Sequence, residues 1–443
     1  MKMSIIKIEF LVYFLLYCIG ITTSQYNNRV SPKKVFAHYM IGFAGSVGQK
    51  FFDDQIKRAK SVGIDGLALD VGINDWQPDR VVNALAAAAD NDNFTMFISF
   101  DMASLPFSYT ILSTFHFAAN HPNYYRVNGR PFFSTFDGEF NDTFWVDWKV
   151  NSGLNPYFCP CWTNYPTVDL LQNHPVADCI FTWNAWPARN SGPGAHFNTT
   201  GDRNLLASAE ATNKTYMAPL SPWFYTHVSS DTFNKHWIYG SEILLPERWQ
   251  QIVDLQPDFV EIITWNDYSE SSYVCSISED LPIHLHGINE MINLPQPMHH
   301  DAWLNLSKHY IQWYKTNTRP NVSNDQFYWW YRIYPKSNTS GDSPQFWNDA
   351  QDCVVVHTIV KSIKPNGGQY TMIVDLNASK TTYNITQLEQ TECIPFPANL
   401  GYVTLSLIGP DRKVWWIEAN NAPQANNGTN FNAWTNMHTF PSP

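Results

Sequence analysis

The chain has 443 residues, of which 44% are hydrophobic and 15% are charged, so it can bury a large core and is too apolar for general disorder. Its formal net charge of −11 and its lack of a basic run exclude a typical nucleic-acid-binding protein, which must neutralise phosphates. Aromatic residues make up 15% of the chain, including 18 Trp and 22 Tyr. Such rings either fill a core or stack on the apolar faces of sugars.

The first residues have the pattern of a secretory signal. Two lysines precede an apolar run over residues 10–21, and the small residues Thr22 and Ser24 suit cleavage before Gln25. We therefore predict a signal peptide at 1–24, with an uncleaved membrane anchor as the alternative. No later stretch of the sequence is apolar and long enough to span a bilayer. We expect a secreted protein, extracellular or in a cell wall, with no membrane anchor.

Cysteines and sequons agree with export. Six cysteines follow the predicted signal, and an even number in a secreted chain predicts disulfides. Cys353 and Cys393 lie in one region and are predicted to pair, whereas the pairing of the other four stays open. Cys159-Pro160-Cys161 lacks the usual zinc spacing, so zinc is a weaker alternative. Ten Asn-x-Ser/Thr sequons predict a heavily glycosylated protein.

Short apolar runs alternate with helical patterns between residues 34 and 265. Runs that are apolar on both faces and separated by helices are typical of parallel βα units, and about eight of them occur. That number suits a (β/α)8 barrel; a doubly wound open sheet is the alternative, but no Gly-rich fingerprint follows the first strand. The predicted strands are Val35–Ile41, Gly66–Gly72, Thr95–Asp101, Pro131–Phe136, Tyr157–Trp162, Cys179–Trp186, Thr215–Leu220 and Phe259–Trp265.

The pattern changes after the polar, turn-rich segment 317–324. The following runs are extended and β-branched, with Asn, Gly and Pro between them, which indicates antiparallel sheets. We therefore predict an α/β fold in which a (β/α)8 TIM-type barrel at 25–320 is followed by a small antiparallel β-sandwich at 321–443. The Asn- and Pro-rich tail from residue 420 is expected to be loosely held.

Acidic and aromatic side chains follow several predicted strands, where barrel active sites form. The densest cluster comes last: Asp267 and Glu270 are three residues apart, ringed by aromatics and without nearby lysines. One protonated and one ionised carboxyl group suit glycoside hydrolysis. The alternative is that these acids only cap a helix and form a surface charge. Further strand-end candidates are Asp70, Asp101, Asp137, Trp183, Asn184, Trp223, Tyr225, His227, Trp265, Asn266 and Tyr268.

The histidines do not predict a metal site. His284-x-His286 and His299-His300 look like ligand pairs, but a metal-hydrolase barrel needs His-x-His at the end of the first strand, where only His38 stands. We expect these pairs in solvated loops, and we expect neither a metal nor an organic cofactor. No Gly-x-Ser-x-Gly elbow occurs in the sequence, which disfavours an esterase.

Long motifs carry a family resemblance. They include GIDGLALDVG at 63–72, MFISFDMASLP at 96–106 and EIITWNDYSESSY at 261–273. From Val35 to about Glu418 the sequence resembles the fungal α-1,3-glucanases, or mutanases, of glycoside hydrolase family 71. The resemblance implies a (β/α)8 barrel with a β-sandwich and endo-type, inverting hydrolysis of the α-1,3-glucan of fungal cell walls.

The resemblance also implies roles for individual residues. The essential acids of the family lie in a Trp-Asn-Asp-Tyr-x-Glu motif, which matches Asp267 and Glu270, and a further family aspartate matches Asp101. We assign Glu270 as general acid and Asp267 as general base, with the reverse order left open. Asp101 is expected to bind a sugar hydroxyl or to tune the pair.

Three positions depart from the family pattern. Ser269 stands where Gly is expected, Ser272 where His is expected, and Asp70 where Asn is expected. None of these changes removes a catalytic acid, but they bear on the subsites and the pH optimum. We expect a monomer whose partner is α-1,3-glucan. The rival interpretation is a catalytically inactive wall protein that binds glucan and lacks one of the acids.

Overall fold

The computed structural model describes residues 33–228, 233–277, 297–336, 342–363, 370–376, 379–396, 402–409, 414–418 and 430–440. The predicted signal peptide at 1–24 and the pair His284 and His286 lie outside the described residues. None of the helices in the described part of the chain is long and apolar enough to cross a membrane.

Strands and helices alternate through the first two thirds of the chain. The strands are β1 (Lys34–Met40), β2 (Gly66–Val71), β3 (Thr95–Asp101), β4 (Arg126–Val127), β5 (Arg130–Phe136), β6 (Tyr157–Cys159), β7 (Cys179–Phe181), β8 (Thr215–Leu220), β9 (Tyr225–Val228), β10 (Lys235–Ile238) and β11 (Phe259–Ile262). The helices are α1 (Gln49–Ser61), α2 (Gln77–Ala89), α3 (Tyr109–Ser113), α4 (Asp142–Asn151), α5 (Leu170–Asn173), α6 (Thr200–Thr212), α7 (Leu244–Leu255) and α8 (Asp301–Thr316). The eight predicted strands are confirmed, although β6, β7 and β11 end earlier than predicted.

The parallel strands form one sheet in the order β6-β5-β3-β2-β1-β11-β8-β7, and the short β4 pairs antiparallel with the beginning of β5. β1 therefore lies near the middle, paired with β2 on one side and β11 on the other. The two end strands approach each other, because Cys161 forms a parallel bridge with Phe181 just beyond β6. This is an α/β fold built on a curled parallel sheet.

Aromatic rings fill the concave side of the sheet. Phe36 of β1 packs against Phe97 of β3 with ring centroids 5.0 Å apart, and Phe97 packs against Phe132 of β5 at 4.6 Å. Phe132 also lies 5.8 Å from Phe259 of β11, a strand four places away in the sheet. Rings of distant strands can meet only if the sheet curls around them. Burial of these rings is therefore a main stabilising contribution to the fold.

The C-terminal part consists of two four-stranded antiparallel sheets. Their strands are β12 (Gln326–Arg332), β13 (Cys353–Ile359), β14 (Tyr370–Leu376), β15 (Ser379–Ile385), β16 (Glu389–Pro395), β17 (Val403–Ile408), β18 (Val414–Glu418) and β19 (Ala433–Thr439). The order of strands is β16-β13-β12-β19 in the first sheet and β15-β14-β17-β18 in the second.

β12 is buried on both faces, which explains its run of aromatic residues. Tyr328 and Trp330 pack into the core of the α/β part, and the Trp330 indole donates to the Glu242 carbonyl at 2.7 Å. Phe327 and Trp329 alternate with them and pack against the other sheet. The first sheet is thus a shared layer between the α/β part and the second sheet.

The tail departs from the expectation of a loosely held segment. Residues 433–439 form β19, which pairs with β12 from Ala433 opposite Arg332 to Thr439 opposite Gln326. The sequence pattern did not predict this strand for two reasons. Its residues are mostly polar, and the β12 residues that pair with its backbone lie about a hundred positions earlier in the chain. The part of the tail at 419–429 lies outside the described residues.

The predicted disulfide between Cys353 and Cys393 is confirmed and links β13 to β16. A second disulfide joins Cys159 to Cys179, at the end of β6 and the beginning of β7. Within the described residues, Cys161 and Cys275 are free and buried.

Much of the Trp content belongs to the core. The fully buried Trp side chains include Trp145, Trp148, Trp162, Trp249, Trp265, Trp303, Trp329 and Trp330.

Candidate active site

Acidic side chains from neighbouring strands meet at the carboxyl edge of the parallel sheet. Asp70 is the penultimate residue of β2 and is paired in register with Met40 at the end of β1. Asp101 ends β3, and the segment carrying Asp267 and Glu270 follows β11. Parallel strands bring their carboxyl ends to one edge of the sheet, so these four acids lie at the same edge.

Hydrogen bonds fasten the Trp-Asn-Asp turn to the end of β1. The Trp265 N–H donates to the His38 carbonyl at 2.7 Å. The Asn266 side chain accepts from the Met40 N–H at 2.8 Å and donates back to the Met40 carbonyl. The Asp267 N–H donates to the Thr264 hydroxyl. Asn266 is therefore a positioning residue for Asp267, in place of the expected sugar contact.

Asp267 lies in an environment that favours its protonated form. Its side chain is buried, and Oδ1 accepts from the Ser269 hydroxyl at 2.6 Å and from the Glu270 N–H at 3.1 Å. Burial and then the negative charge of Glu270 raise the pKa of Asp267 to about 7, against the opposing effect of these hydrogen bonds and Lys235. A carboxyl group that holds a proton near neutral pH can act as a general acid.

Lys235 is a site residue that the sequence interpretation missed. The expectation that no lysine lies near Asp267 and Glu270 is therefore wrong. It comes from the hairpin of β9 and β10, and its Nζ lies 3.0 Å from Glu270 Oε1. Burial lowers the pKa of Lys235, but the charges of Glu270, Asp267 and Asp101 outweigh this effect and raise it. Glu270 therefore has a cationic partner, which stabilises its carboxylate. In sequence, 35 residues separate the two, so local spacing carried no signal.

A buried charge network lies at the same edge. His38 of β1 is 2.7 Å from Glu261 of β11 through Nδ1 and 3.4 Å from Asp70 of β2 through Nε2. Burial by itself lowers the pKa of His38, but Asp70 and then Glu261 outweigh burial and raise it to about 10. His38 is thus a buried cation between two carboxylates on the neighbouring strands.

Asp101 is tuned by this network. Its side chain is partly buried, and Oδ1 accepts from the Ala103 N–H at 3.1 Å. Burial and then the negative charge of Asp70 raise the pKa of Asp101. Asp70 is itself paired with His38. Its negative charge therefore acts on Asp101 in addition to any contact that Asp70 makes with a sugar.

Trp183 and Asn184 form the opposite part of the edge, after β7. Trp183 is half-buried, and its ring packs edge-on against His38 and Phe136, with centroids 4.8 and 4.7 Å away. The exposed Asn184 donates to the Thr163 carbonyl, while the Thr163 hydroxyl accepts from the Trp183 N–H. Thr163 thus holds both residues in place.

The remaining candidates on this side are accessible. Asp137 is exposed and has a positive φ of 59°, followed by Gly138 at 83°. A Cβ at Gly138 would come within 2.9 Å of the Met102 side chain, so both conformation and space favour Gly there.

His227, on β9, is half-buried and stacks on His236. An exposed aromatic ring that sequence reasoning missed, Phe233, lies beside Lys235 and is 79% exposed.

Four aromatic candidates are buried, in contrast to the expectation that they contact sugars. Trp265 is 0% exposed and donates its indole N–H to Gln55, and Tyr268 is packed against Cys275. Trp223 donates its indole N–H to the Phe431 carbonyl, and Tyr225 is 1% exposed. Their rings stabilise the loops under the acidic pair, because the chain folds back over them.

A pair of acids at the carboxyl edge of a parallel sheet, one buried with a raised pKa and one paired with a lysine, suits glycoside hydrolysis. The chain matches Glycosyl hydrolase family 71 over residues 31–442. This protein therefore belongs to glycosyl hydrolase family 71, as its motifs predicted.

Named relatives are similar over most of the chain. Glucan endo-1,3-alpha-glucosidase agn1 of Schizosaccharomyces pombe is 34% identical over 333 residues, covering 71% of this chain and 74% of its own. Mutanase Pc12g07500 of Penicillium rubens is 32% identical over 379 residues, covering 82% and 81%. The ascus wall endo-1,3-alpha-glucanase of Schizosaccharomyces pombe is 32% identical over 311 residues, covering 66% and 69%.

Replacing the buried cation should destabilise the fold. The variant His38→Gln leaves Asp70 and Glu261 buried without their countercharge, so we expect a loss of about 3–5 kcal/mol in the free energy of unfolding near pH 6.5. The folded-state pKa of His38 lies above that of an unfolded histidine. The stabilisation is therefore fully present below about pH 6.5 and is lost as the pH rises through about 10.

Thermal melting of both proteins at pH 6.5 and pH 9.5 checks this prediction. The melting temperatures should differ more at pH 6.5 than at pH 9.5, while the exposed-histidine control His438→Gln should melt like wild type at both. A His38→Gln protein that melts at the wild-type temperature at pH 6.5 would contradict the charge network.

Proposed function

We propose that this protein is a secreted endo-acting α-1,3-glucanase that hydrolyses the α-1,3-glucan of fungal cell walls with inversion. Family membership and the substrates in the names of its relatives support the substrate class. The observation that carries the mechanism is the contrast within the acidic pair. Asp267 is buried with a raised pKa, while Glu270 lies 3.0 Å from a lysine.

This contrast favours the reverse of the sequence-based assignment of roles. We assign Asp267 as the general acid, because its environment keeps the proton that the leaving oxygen needs. We assign Glu270 as the general base, because the Lys235 ammonium stabilises a carboxylate that can accept a proton from water. The inactive glucan-binding protein remains the rival, and the retention of both acids argues against it.

The chemistry follows from these protonation states. Asp267 donates its proton to the glycosidic oxygen as the bond to the anomeric carbon breaks. Glu270 removes a proton from a water molecule that attacks the opposite side of the anomeric carbon. An α-linkage then yields a β-configured hemiacetal, and the two carboxyl groups exchange their protonation states before the next turnover.

Asp101 and the accessible edge residues are proposed to hold the glucan. Asp101, with its raised pKa, is proposed to donate to a sugar hydroxyl or to tune the pair. The half-buried Trp183 and the exposed Phe233 offer ring surface on which sugars can stack. Polar contacts are proposed for Asp70, Asp137 and Asn184.

We further propose the architecture and processing of the protein. The bridge from Cys161 to Phe181 and the disulfide between Cys159 and Cys179 support closure of the parallel sheet into a (β/α)8 barrel over 25–320. The two antiparallel sheets support a β-sandwich over 321–443. Removal of a signal peptide at 1–24 and a monomeric, unanchored state complete the proposal.

Neutralising either acid should abolish hydrolysis. We expect Asp267→Asn and Glu270→Gln each to lower turnover by roughly a hundredfold or more, because each removes a proton transfer. Release of reducing sugar from insoluble α-1,3-glucan measures this, with α-1,4- and β-1,3-glucans as substrate controls. The variant Asp75→Asn, an exposed acid after β2, is the matched control and should stay active. Near-normal activity in either acid variant would refute the assignment, and preference for another glucan would refute the substrate.

The stereochemistry can be read from the first products. Inversion predicts that β-anomers appear first in proton NMR spectra recorded at early times, before mutarotation equilibrates the anomers. The three-residue spacing of the acids is compatible with either outcome, so the prediction rests on the family. Early α-anomers would show retention instead.

Lys235 should set the pH dependence of activity. It lowers the pKa of Asp267, so Lys235→Met should move the alkaline limb of kcat to higher pH, by roughly one unit. The loss of the Glu270 countercharge should also reduce kcat. Lys235→Arg keeps the charge and should keep the limb near its original position.

The matched control for Lys235→Met is Lys57→Met, which breaks the surface ion pair between Lys57 and Asp53. This variant should change neither the pH profile of kcat nor its maximum value. A Lys235→Met enzyme with the wild-type pH profile would show that Lys235 does not act on the acidic pair.

A further inference from the structure

Two histidines and an aspartate converge beside the hairpin of β9 and β10. His227 and His236 are directly opposite each other in the antiparallel register, and their rings stack with centroids 3.8 Å apart and planes 11° apart. Asp342 approaches both: Oδ2 lies 3.6 Å from His227 Nε2, and Oδ1 lies 3.4 Å from His236 Nδ1. One ligand atom from each residue lies within 4.8 Å of the other two.

These distances are close to those around a bound metal ion. Zn²⁺ bonds to imidazole nitrogen and carboxylate oxygen are about 2.0–2.2 Å long, so tetrahedral ligand atoms lie roughly 3.4 Å apart. Each carboxylate oxygen of Asp342 already lies near that distance from one imidazole nitrogen. Binding would need the side chains to rotate so that the three ligand atoms, now within 4.8 Å of one another, close on one ion.

The donor atoms of the cluster suit a metal ion. A neutral imidazole is the form that binds a metal, and two of them with one carboxylate form a nitrogen and oxygen set that suits zinc-like ions.

We propose that His227, His236 and Asp342 bind a divalent transition-metal ion of the zinc class, with a fourth position open to water. This departs from the sequence-based expectation of no metal. The ligands come from three separate segments, so no short spacing motif announces them. Asp342 is exposed, which leaves the site open to exchange with solvent.

The ion would join the hairpin to the segment between β12 and β13. That segment runs beside β10: the Gln345 N–H donates to the His236 carbonyl at 2.9 Å, and the Ile238 N–H donates to the Gln345 carbonyl. Neighbouring strand residues point to opposite faces, so His236 and Lys235 lie on different sides of β10. The metal would therefore stabilise the hairpin that presents Lys235 and would take no part in the bond cleavage.

Titration of the EDTA-dialysed full-length protein with ZnCl₂ tests the site by calorimetry, independently of glucan hydrolysis. We expect binding at one site with a micromolar or lower Kd and a higher melting temperature with Zn²⁺, whereas Mg²⁺ and Ca²⁺ should have little effect. His236→Gln and Asp342→Asn should each weaken Zn²⁺ binding at least tenfold. Asp342 is exposed, so its variant should fold normally.

Two control variants separate this site from other histidines. His196 pairs with Glu247 at 2.6 Å on the surface, so His196→Gln removes a single imidazole–carboxylate pair and should leave Zn²⁺ binding unchanged. The double variant His284→Gln/His286→Gln should also keep it. Absence of Zn²⁺ binding below about 1 mM would overturn the proposal. Wild-type affinity in both His236→Gln and Asp342→Asn would overturn it as well.

Discussion

A positive charge buried near the middle of the parallel sheet is the constraint on which the candidate active site depends. His38 on β1 holds Glu261 of β11 and Asp70 of β2, so one imidazole fixes three strands at their carboxyl ends. Without it, two carboxylates would be buried without a countercharge, at a cost of several kcal/mol. The same charge network has a functional consequence, because Asp70 raises the pKa of Asp101 at the end of β3. Stability and active-site electrostatics therefore share the same residues.

The acidic pair gains its asymmetry from an element outside the sheet. Asp267 and Glu270 belong to one turn, yet Asp267 is buried while Glu270 faces Lys235 from the β9–β10 hairpin. The Tyr225 N–H of this hairpin also donates to the Glu270 carbonyl at 2.9 Å, which anchors the hairpin to the turn. The position of the hairpin thus gives the two carboxyl groups different electrostatic surroundings. This dependence connects the proposed metal site to the chemistry: an ion on the other face of β10 would hold the hairpin without touching the reacting atoms.

The sequence predicted the elements well and the roles of the aromatic residues poorly. Strands of a buried parallel sheet are apolar on both faces, and this local property located the eight strands in the α/β part. β12 has the same property for a different reason, since one of its faces packs on the α/β part and the other on the second sheet. Composition could not separate a buried Trp from a sugar-binding one, because both uses favour the same ring. Trp265 lies in the core and Trp183 at the edge, and the difference depends on the path of the chain around each.

The sequence by itself determined the family, the alternation of strands and helices, the Cys353–Cys393 disulfide and the acids at the strand ends. Each of these features depends on residues that are close in sequence or on long motifs. Tertiary structure decided what depends on distant residues. It paired the tail strand β19 with β12, joined Cys159 to Cys179, brought Lys235 to Glu270 and placed His38 between Asp70 and Glu261. The environments of Asp267 and Glu270 belong to this second group. Burial and countercharge act through space at a few ångströms, and the spacing of two acids along the chain does not encode them.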